Sequence, residues 1–434
     1  MERTAYQNLM EWKNQSTRKP LLVQGARQVG KTYLIKDFGA KEYGDLAYFN
    51  FEQTSELSTF FESTLDPGIL LESLGAFIGK KIKPGETLIF FDEIQVCPRA
   101  LTSLKYFNEQ APQYHLIAAG SLLGVSVGKA SSFPVGKVHF LTLYPLSYFE
   151  YLKAMGEAPL WELLSDKKDY QALPEALHEK LLRHLKYYLY IGGMPEAVAS
   201  YAKNQDISEA RSIQNEILKA YERDFSKHSS SSEAIRVSEI WRSIPQQLAK
   251  ENKKFMYSAV KKGGRASQFE SAVEWLHKAG LLQLAYHVET PKHPLSGYAD
   301  NSKFKVYLLD SGLLGAMLNL SSRLIVSGDN LFSEYNGAFI ENYVSAELTR
   351  LEYIDRLYYW TSKSMAEVDF IVARPDGIFP LEVKSGTSRH AKSLRIYAEK
   401  YLPGRVYRAS ARNFTRDDDF INLPLYAVAL FGRL

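Results

Sequence analysis

The segment GARQVGKT at residues 25–32 constrains the fold of this chain more than any other feature of the sequence. It fits the pattern G-x-x-x-x-G-K-[ST], follows the apolar run LLV and precedes the segment YLIKDF, which has helical character. Glycine permits backbone conformations in which successive N–H groups point inward at the start of a helix and bind phosphate oxygens. The segment therefore predicts a strand, a phosphate-binding loop and a helix, in that order.

This loop predicts a site for ATP and Mg²⁺. Lys31 is expected to reach the β- and γ-phosphates, and the Thr32 hydroxyl is expected to hold Mg²⁺. Ser121, at the tip of the run HLIAAGS, is either a γ-phosphate contact or a simple strand-to-loop residue. The predicted nucleotide-binding residues are Gly25, Ala26, Arg27, Gln28, Val29, Gly30, Lys31, Thr32, Asp92 and Ser121.

Two carboxylates follow a second apolar run, LIFFDEIQ at residues 88–95. Asp92 is predicted to hold Mg²⁺ through water, and Glu93 to polarise the water that attacks the γ-phosphate. The order of the two motifs, each placed at the end of a predicted strand, argues against a chance match. No arginine finger can be assigned, although Arg27, Lys137 and Arg223 are candidates.

The pattern of apolar residues divides the chain into blocks. Up to about residue 150, short apolar runs alternate with helix-length segments, which predicts an α/β fold with a parallel sheet and crossover helices. Residues 150–228 are predicted to be helical, and the four serines Ser229–Ser232 are predicted to be a linker. Residues 330–434 are predicted to start with a helix and continue with strands.

The composition excludes several classes of protein. A single cysteine, Cys97, rules out an internal disulfide and fits a reducing compartment. The polar N-terminus resembles no signal peptide, and no segment has the ~18 apolar residues of a membrane span, so a cytoplasmic location without membrane partners is expected. The net charge of +4 does not by itself indicate a nucleic-acid binder.

Five segments together resemble a known family: GARQVGKT, LIFFDEIQ, AAGSLLG, LTLYPLSYFEYL and GGMPEAV. They are similar to the prokaryotic AAA-type P-loop ATPases that carry a C-terminal domain of unknown function. The resemblance covers nearly the whole chain and implies the same roles for Lys31, Thr32, Asp92 and Glu93. Similar proteins often have an arginine at the position of Lys137. The implied domains are a P-loop ATPase core at 1–150, a helical lid at 151–228, a winged-helix-like module at 233–325 and a restriction-endonuclease-like domain at 330–434.

Residues 255–288 predict a helix-turn-helix followed by a strand. Phe269, Val273 and Leu276 share one face of the second helix, which marks the buried side. Such a unit either contacts DNA or serves as a packing or protein-interaction module, and the sequence leaves both functions open. If the unit contacts DNA, the contacts are Lys261, Lys262 and Arg265 together with the side chains that the second helix presents outward, namely Arg265, Gln268, Glu270 and Lys278.

The C-terminal block places two carboxylates and a lysine on one face of a predicted hairpin. With a two-residue loop at Asp376–Gly377, Asp369 lies opposite Lys384, and Glu382 lies two residues from Lys384 on the same face. Moving the turn centre by one residue keeps that face.

This D…E-x-K arrangement resembles that of metal-dependent nucleases of the restriction-endonuclease type. The resemblance implies that Asp369 and Glu382 hold one or two Mg²⁺ ions, that Lys384 orients the water or neutralises developing charge, and that Glu341 is a fourth acidic member. A plain cross-strand ion pair and an inactive scaffold remain alternatives.

A basic tract follows this hairpin and is a candidate DNA contact. Its members are Arg389, Lys392, Arg395, Lys400, Arg405, Arg408, Arg412 and Arg416, with only Glu399 as an acidic counterweight. Two functions are therefore open. The first is an ATPase whose C-terminal half acts on DNA, including as a nuclease. The second is a regulatory ATPase whose C-terminal half is a protein-interaction scaffold. A homo-oligomer is expected if an arginine acts in trans.

Overall fold

The structure is a computed structural model. It describes residues 1–121, 134–226, 231–248, 254–322, 337–362, 366–386 and 392–434. The chain divides into two compact units, one formed by Glu2–Tyr144 with Lys278–Gly280, and the other by Met1, Pro145–His277 and Leu281–Leu434. Among the described residues, no helix is long and apolar enough to cross a membrane.

The first unit has a parallel sheet in the strand order β2-β3-β4-β1-β5, with helices joining the strands. The strands are β1 Leu21–Gly25, β2 Asp45–Asn50, β3 Thr87–Asp92, β4 His115–Ser121 and β5 His139–Thr142. The helices are α1 Ala5–Asn14, α2 Lys31–Glu42, α3 Leu57–Ser63, α4 Pro67–Phe77 and α5 Pro98–Gln110, with a 3₁₀ turn at Ile94–Val96. The predicted α/β fold with a parallel sheet is confirmed.

Uninterrupted apolar runs produce this sheet because each central strand is buried on both faces. Strand β3 has no exposed residue, and Phe49, Phe61, Phe91 and Phe107 pack edge to face in the core between the sheet and its helices. In a parallel sheet all carboxyl ends lie at one edge, so the polar residues that end β2, β3 and β4 meet there, beside the end of β1 at Gly25.

The second unit begins with helices and ends with a mixed sheet. Its helices are α6 Tyr148–Ala154, α7 Ala158–Ser165, α8 Glu175–Ile191, α9 Pro195–Asn204, α10 Ile207–Phe225, α11 Ser231–Leu248, α12 Tyr257–Val260, α13 Ala266–Lys278, α14 Ser311–Met317, α15 Gly337–Thr349 and α16 Lys392–Tyr401, with 3₁₀ turns at Leu295–Tyr298 and Leu425–Leu430. Its strands are β6 Leu282–Val288, β7 Ala299–Leu308, β8 Leu357–Thr361, β9 Glu367–Arg374, β10 Gly377–Val383, β11 Val406–Ser410, β12 Thr415–Asp417 and β13 Phe420–Pro424.

These strands form one sheet in the order β12-β13-β11-β10-β9-β8-β6-β7. Strands β6 and β7, which fall within the winged-helix-like module predicted at residues 233–325, belong to this sheet, and β6 pairs in parallel with β8. Val288 of β6 shares a core with Trp360, Val368 and Tyr397. The predicted linker also differs, because Ser231 and Ser232 begin α11, while residues 227–230 lie outside the described part of the chain.

Two of the segments that carry the family resemblance, LTLYPLSYFEYL and GGMPEAV, contact each other inside the second unit through Leu146 and Gly193. The Leu146 N–H donates to Gly193 O at 2.6 Å, and the Gly193 N–H donates to the buried Asp310 carboxylate at 2.6 Å. A Cβ atom on Gly193 would lie 2.1 Å from Leu146 O, so only glycine fits there. Asp310 also caps α14 by accepting from the Leu313 N–H at 2.9 Å.

The hairpin of β9 and β10 corrects one predicted register. Gly377 pairs with Arg374 and Leu381 pairs with Phe370, so the loop is Pro375–Asp376, one residue earlier than predicted. Continuing this register places Asp369 opposite Glu382 instead of Lys384. The shared face is kept, because side chains alternate with a period of two along a strand.

Candidate functional site

The phosphate-binding loop connects β1 to α2 in the predicted way. Strand β1 ends at Gly25 and helix α2 begins at Lys31. Gly30 has a φ of +93°, in the left-handed region that favours glycine. A Cβ atom on Gly25 would lie 2.2 Å from Leu143 O, so the loop can pass beside β5 only with glycine at this position.

Lys31 is buried within this loop. Its Nζ donates to Gly25 O at 3.0 Å and to Ala26 O at 2.8 Å. Burial lowers the pKa of Lys31 to about 8, and the carboxylates of Glu93 and Asp92 oppose this shift. The ammonium is therefore held at the loop with few partners, which favours an anion as an additional one.

Thr32 and Asp92 are in direct contact at the end of β3. The Thr32 hydroxyl donates to Asp92 Oδ2 at 2.9 Å, and the Tyr48 hydroxyl donates to the same oxygen at 3.0 Å. Burial raises the pKa of Asp92, whereas these two hydrogen bonds lower it. Tyr48 is supported by Asn50, whose amide donates to its hydroxyl at 3.0 Å. Neither residue was predicted, although a polar residue at the tip of β2 is the signal that could have indicated Asn50.

Glu93 lies directly after β3 in a left-handed conformation, with φ of 54°. Gln95 Nε2 donates to Glu93 Oε2 at 2.6 Å and so orients the carboxylate. Strain of this kind at a non-glycine residue is typical of functional positions. Gln95 was not predicted as a site residue.

The other residues predicted for the nucleotide site lie in different parts of the structure. Ser121 is the register partner of Gly25, so it lies beside the first residue of the loop. Lys137, a candidate finger, forms an ion pair with Glu109 at 2.9 Å. Arg223 lies on α10 in the second unit, and its side chain is exposed.

The C-terminal candidate site lies on one face of β9 and β10. Asp369 Oδ2 accepts from the Val383 N–H at 2.8 Å, and Lys384 Nζ lies 2.9 Å from Glu382 Oε1. Burial raises the pKa of Glu382, and the Lys384 ammonium opposes this shift. Glu382 Oε2 is buried and has no hydrogen-bond partner among the described residues. Glu341, on α15, is also buried.

A second lysine, which was not predicted, joins this cluster. Lys305 of β7 is 1% exposed, and its Nζ lies 2.5 Å from Glu367 Oε1, 3.7 Å from Asp369 Oδ1 and 3.9 Å from Glu341 Oε2. Although burial lowers its pKa, these neighbours hold the pKa of Lys305 well above its ordinary value. No local pattern indicates this lysine, because β7 lies outside the block in which the other members occur.

The nucleotide site and the C-terminal candidate site differ in how well their residues could bind a metal ion. Thr32 and Asp92 supply the one or two oxygen ligands that Mg²⁺ commonly takes from a protein when it also binds phosphates. At the C-terminal site, Glu382 Oε2 is an orphaned acceptor that a cation would satisfy. Within the described residues, however, no group of three or more His, Cys, Asp or Glu side chains is arranged to hold a metal ion.

The burial of the candidate DNA-contacting residues agrees with the prediction around α13 and only partly in the basic tract. Phe269, Val273 and Leu276 of α13 are buried as predicted. The side chains predicted to contact DNA or to point outward are all exposed, namely Lys261, Lys262, Arg265, Gln268, Glu270 and Lys278. In the basic tract, Lys392, Arg395, Lys400 and Arg416 are exposed, and Arg405 and Arg412 are partly buried.

Arg408 must be removed from the predicted DNA-contacting tract. It is buried, and its Nε donates to Asn422 Oδ1 at 3.0 Å, because the pairing of β11 with β13 turns it into the domain. Arg389 lies outside the described residues.

Comparison with known families adds three matches. Residues 17–152 match the AAA domain family, residues 182–324 match a domain of unknown function, DUF8612, and residues 336–427 match another, DUF4143. The AAA match spans the phosphate-binding loop and both carboxylates. Residues 17–152 therefore carry an AAA domain, whose phosphate-binding loop lies on the five-stranded parallel sheet, and the protein is an ATPase.

Three solved structures that match this chain have low identities to it. A Walker-type ATPase of Pyrococcus abyssi is 15% identical with a TM-score of 0.45, covering 73% of this chain and 95% of that one. AMPPCP-bound DnaA from Aquifex aeolicus is 12% identical with a TM-score of 0.30, covering 64% and 88%. The Aeropyrum pernix ORC1 protein in complex with DNA is 12% identical with a TM-score of 0.29, covering 74% and 93%. None of the curated proteins matches the chain.

Proposed function

We propose that this protein hydrolyses ATP at the loop of Gly25–Thr32 and uses the nucleotide state to control a C-terminal site that acts on DNA. In this proposal Lys31 exchanges its carbonyl partners, Gly25 O and Ala26 O, for phosphate oxygens. When bound, Mg²⁺ would be held by Thr32 and Asp92 and would neutralise charge on the β- and γ-phosphates.

Glu93 is the proposed base that orients and polarises the attacking water. Gln95 supports it through the hydrogen bond to Oε2, which leaves the other carboxylate oxygen available to accept a proton. Ser121, beside Gly25 in the register, is the proposed γ-phosphate contact. An oxygen ligand at that position would report whether the γ-phosphate is present.

The catalytic assignments can be tested with two variants and a control. Lys31→Ala should abolish ATP binding, because the loop loses its only side-chain ammonium. Glu93→Gln should bind ATP normally and lose turnover by at least 100-fold. Glu86→Gln removes an exposed carboxylate that pairs with Lys83 at the surface, and this control should hydrolyse ATP like wild type. Brisk hydrolysis by Glu93→Gln would refute the role of Glu93.

The C-terminal part of the proposal is phosphodiester hydrolysis of DNA assisted by a divalent cation. The observation that carries it is the convergence of Asp369, Glu382 and Lys384 on one strand face, with Glu341 on the adjoining helix. In this reading Asp369 and Glu382 hold the cation, which supplies water activation and charge neutralisation. Lys384, partly exposed, orients the water or stabilises negative charge that develops on the phosphate.

The decisive assay is cleavage of a mixed DNA pool with Mg²⁺ or Mn²⁺, with and without ATP. The test protein is an Asp369→Asn, Glu382→Gln double variant, and the control is Asp376→Asn, which alters an exposed turn residue of the same hairpin. Cleavage by wild type and the control, and its loss in the double variant, are the expected results. Absence of cleavage by every protein, with ATP hydrolysis intact, would reject the nuclease role.

DNA binding itself is tested separately. Two exposed basic residues are used: Arg265 immediately precedes α13, and Arg395 lies on α16. If they contact phosphates, each change to alanine should weaken binding across sequences and reduce the salt slope by about one. Failure of the wild-type chain to bind any DNA at low salt would remove DNA from the proposal.

A second candidate function is a regulatory ATPase whose C-terminal half is an inactive scaffold. The specific observation in its favour is Lys305, whose ammonium already balances carboxylates of the candidate site. A buried ion cluster of this kind specifies a fold without catalysing a reaction. Intact ATPase activity with no DNA cleavage and no DNA binding would select this function.

A further inference from the structure

Lys305 lies where carboxylates from three different positions of the second unit converge. Its strand, β7, is four places from β10 in the sheet order, and its side chain extends along the sheet face beneath α15. The Tyr359 ring adds a cation–π contact, with its centroid 4.9 Å from Nζ. The ammonium is thus desolvated and fully engaged within the acidic cluster.

A separate feature of the cluster is a buried carboxylate oxygen that has no hydrogen-bond donor within the described part of the chain. Glu382 is 4% exposed, yet its Oε2 has no hydrogen-bond donor among the described residues. A buried carboxylate oxygen without a donor is costly, so it is normally paired or ligated. The cluster contains four carboxylates and two ammonium groups, namely Glu341, Glu367, Asp369, Glu382, Lys305 and Lys384.

We infer that Lys305 is a built-in competitor for a divalent cation at this site. Its ammonium holds the carboxylates of Glu341 and Asp369, which a hard cation such as Mg²⁺ or Mn²⁺ would need as ligands. A metal ion and an ammonium within about 4 Å of the same oxygens repel each other strongly in a buried site. Metal therefore binds only when Lys305 is displaced, and the resting protein has low metal affinity.

This inference rests on the proposed metal-dependent function, because it describes how that same site is regulated. It also makes the metal affinity of the site depend on the conformation of the second unit. Any conformational change that moves β7 away from β9 would free the carboxylates of Asp369 and Glu341 together. The site would then gain metal affinity without a change in its ligands.

The test is Mn²⁺ binding to the full chain by isothermal titration in the absence of nucleotide. Lys305→Met keeps the length of the side chain and removes the charge, and it should bind Mn²⁺ at least tenfold more tightly than wild type. The matched control is Lys303→Met, which removes an exposed lysine two residues away on the same strand and should bind like wild type. Equal Mn²⁺ affinity in wild type and Lys305→Met would overturn the inference.

A charge-balanced variant guards against misfolding, since Lys305→Met leaves buried carboxylates unpaired. The double variant Lys305→Met, Glu367→Gln also removes the closest acidic partner and keeps Glu341, Asp369 and Glu382. It should fold and bind Mn²⁺ at least tenfold more tightly than wild type. No gain in affinity in this double variant would equally overturn the inference.

DNA cleavage assays on the same proteins separate this inference from the proposed function. Tighter Mn²⁺ binding by the Lys305 variants, with no cleavage by any protein, would support the inference and reject the nuclease role. Cleavage by wild type, with Mn²⁺ affinity equal to that of Lys305→Met, would support the nuclease role and reject the inference.

Discussion

The contacts of Arg350 allow us to predict how much free energy of unfolding is lost when its guanidinium is removed. Its guanidinium donates to Pro145 O at 3.1 Å and to Ala346 O at 2.5 Å, and it lies 3.1 Å from the carboxylate of Glu347. Glu347 is buried and also accepts from the Tyr148 N–H at 3.2 Å. This pair therefore fixes the chain at the start of the second unit.

Arg350→Met should lower the free energy of unfolding of the second unit by about 3–5 kcal/mol, the usual cost of removing one partner from a buried ion pair. The part of this loss that comes from the unpaired charge of Glu347 has an upper limit, which is the cost of protonating the carboxyl. Burial already raises the pKa of Glu347, and without Arg350 the carboxyl would protonate. Protonating a carboxyl of ordinary pKa at pH 7 costs about 3.7 kcal/mol, at 1.36 kcal/mol per pH unit.

Two consequences distinguish this mechanism from a loss of packing. The Glu347→Gln, Arg350→Met double variant removes the stranded charge and keeps an acceptor for Tyr148, so it should be about 2 kcal/mol more stable than Arg350→Met. The defect of Arg350→Met should also shrink towards acidic pH. With the pKa of Glu347 raised in the folded state, that state holds a proton which the unfolded chain loses as the pH rises.

The assay is urea unfolding followed by tryptophan fluorescence. The tryptophans include Trp161, Trp241, Trp275 and Trp360 in the second unit, so most of the signal reports on that unit. Arg356→Met, which changes an exposed arginine, is the control and should lie within about 0.5 kcal/mol of wild type. A loss below 1 kcal/mol for Arg350→Met, or a double variant no more stable than the single, would refute the reasoning.

Three further predictions concern other positions. Burial lowers the pKa of His115 to about 4, so the first unit should lose roughly 1–2 kcal/mol as pH falls from 6.5 to 4, and His115→Gln should remove that dependence in urea titrations. Gly193→Ala should destabilise the second unit by several kcal/mol in the same assay, because Leu146 O blocks the added Cβ. Gln95→Ala should lower kcat about tenfold at unchanged ATP affinity, since Glu93 loses its orienting partner; unchanged turnover would contradict this.

The nucleotide site was largely predictable because its residues are close in sequence or end neighbouring parallel strands. The loop of Gly25–Thr32 and the pair Asp92–Glu93 each carry a local signature, and the strand order then brings their strand ends together. Tyr48 and Gln95 were missed because a tyrosine in a strand and a glutamine in a turn are common. Only their hydrogen bonds to the acidic residues distinguish them.

The C-terminal site shows the limit of reasoning from local pattern. The period of two along a strand was sufficient to place Asp369, Glu382 and Lys384 on one face, even though the loop is Pro375–Asp376 and the predicted register was shifted. Burial of Arg408 was not predictable in this way, because it depends on which strands flank β11.

By itself, the sequence determined the phosphate-binding loop, the two carboxylates after β3, most strand and helix positions and the shared face of the C-terminal hairpin. These features depend on interactions over a few residues, where backbone geometry leaves few choices. Only the tertiary structure decided that β6 and β7 join the C-terminal sheet and that Lys305 enters its acidic cluster. Such pairings link distant segments, and their stability comes from a shared core that no local pattern encodes.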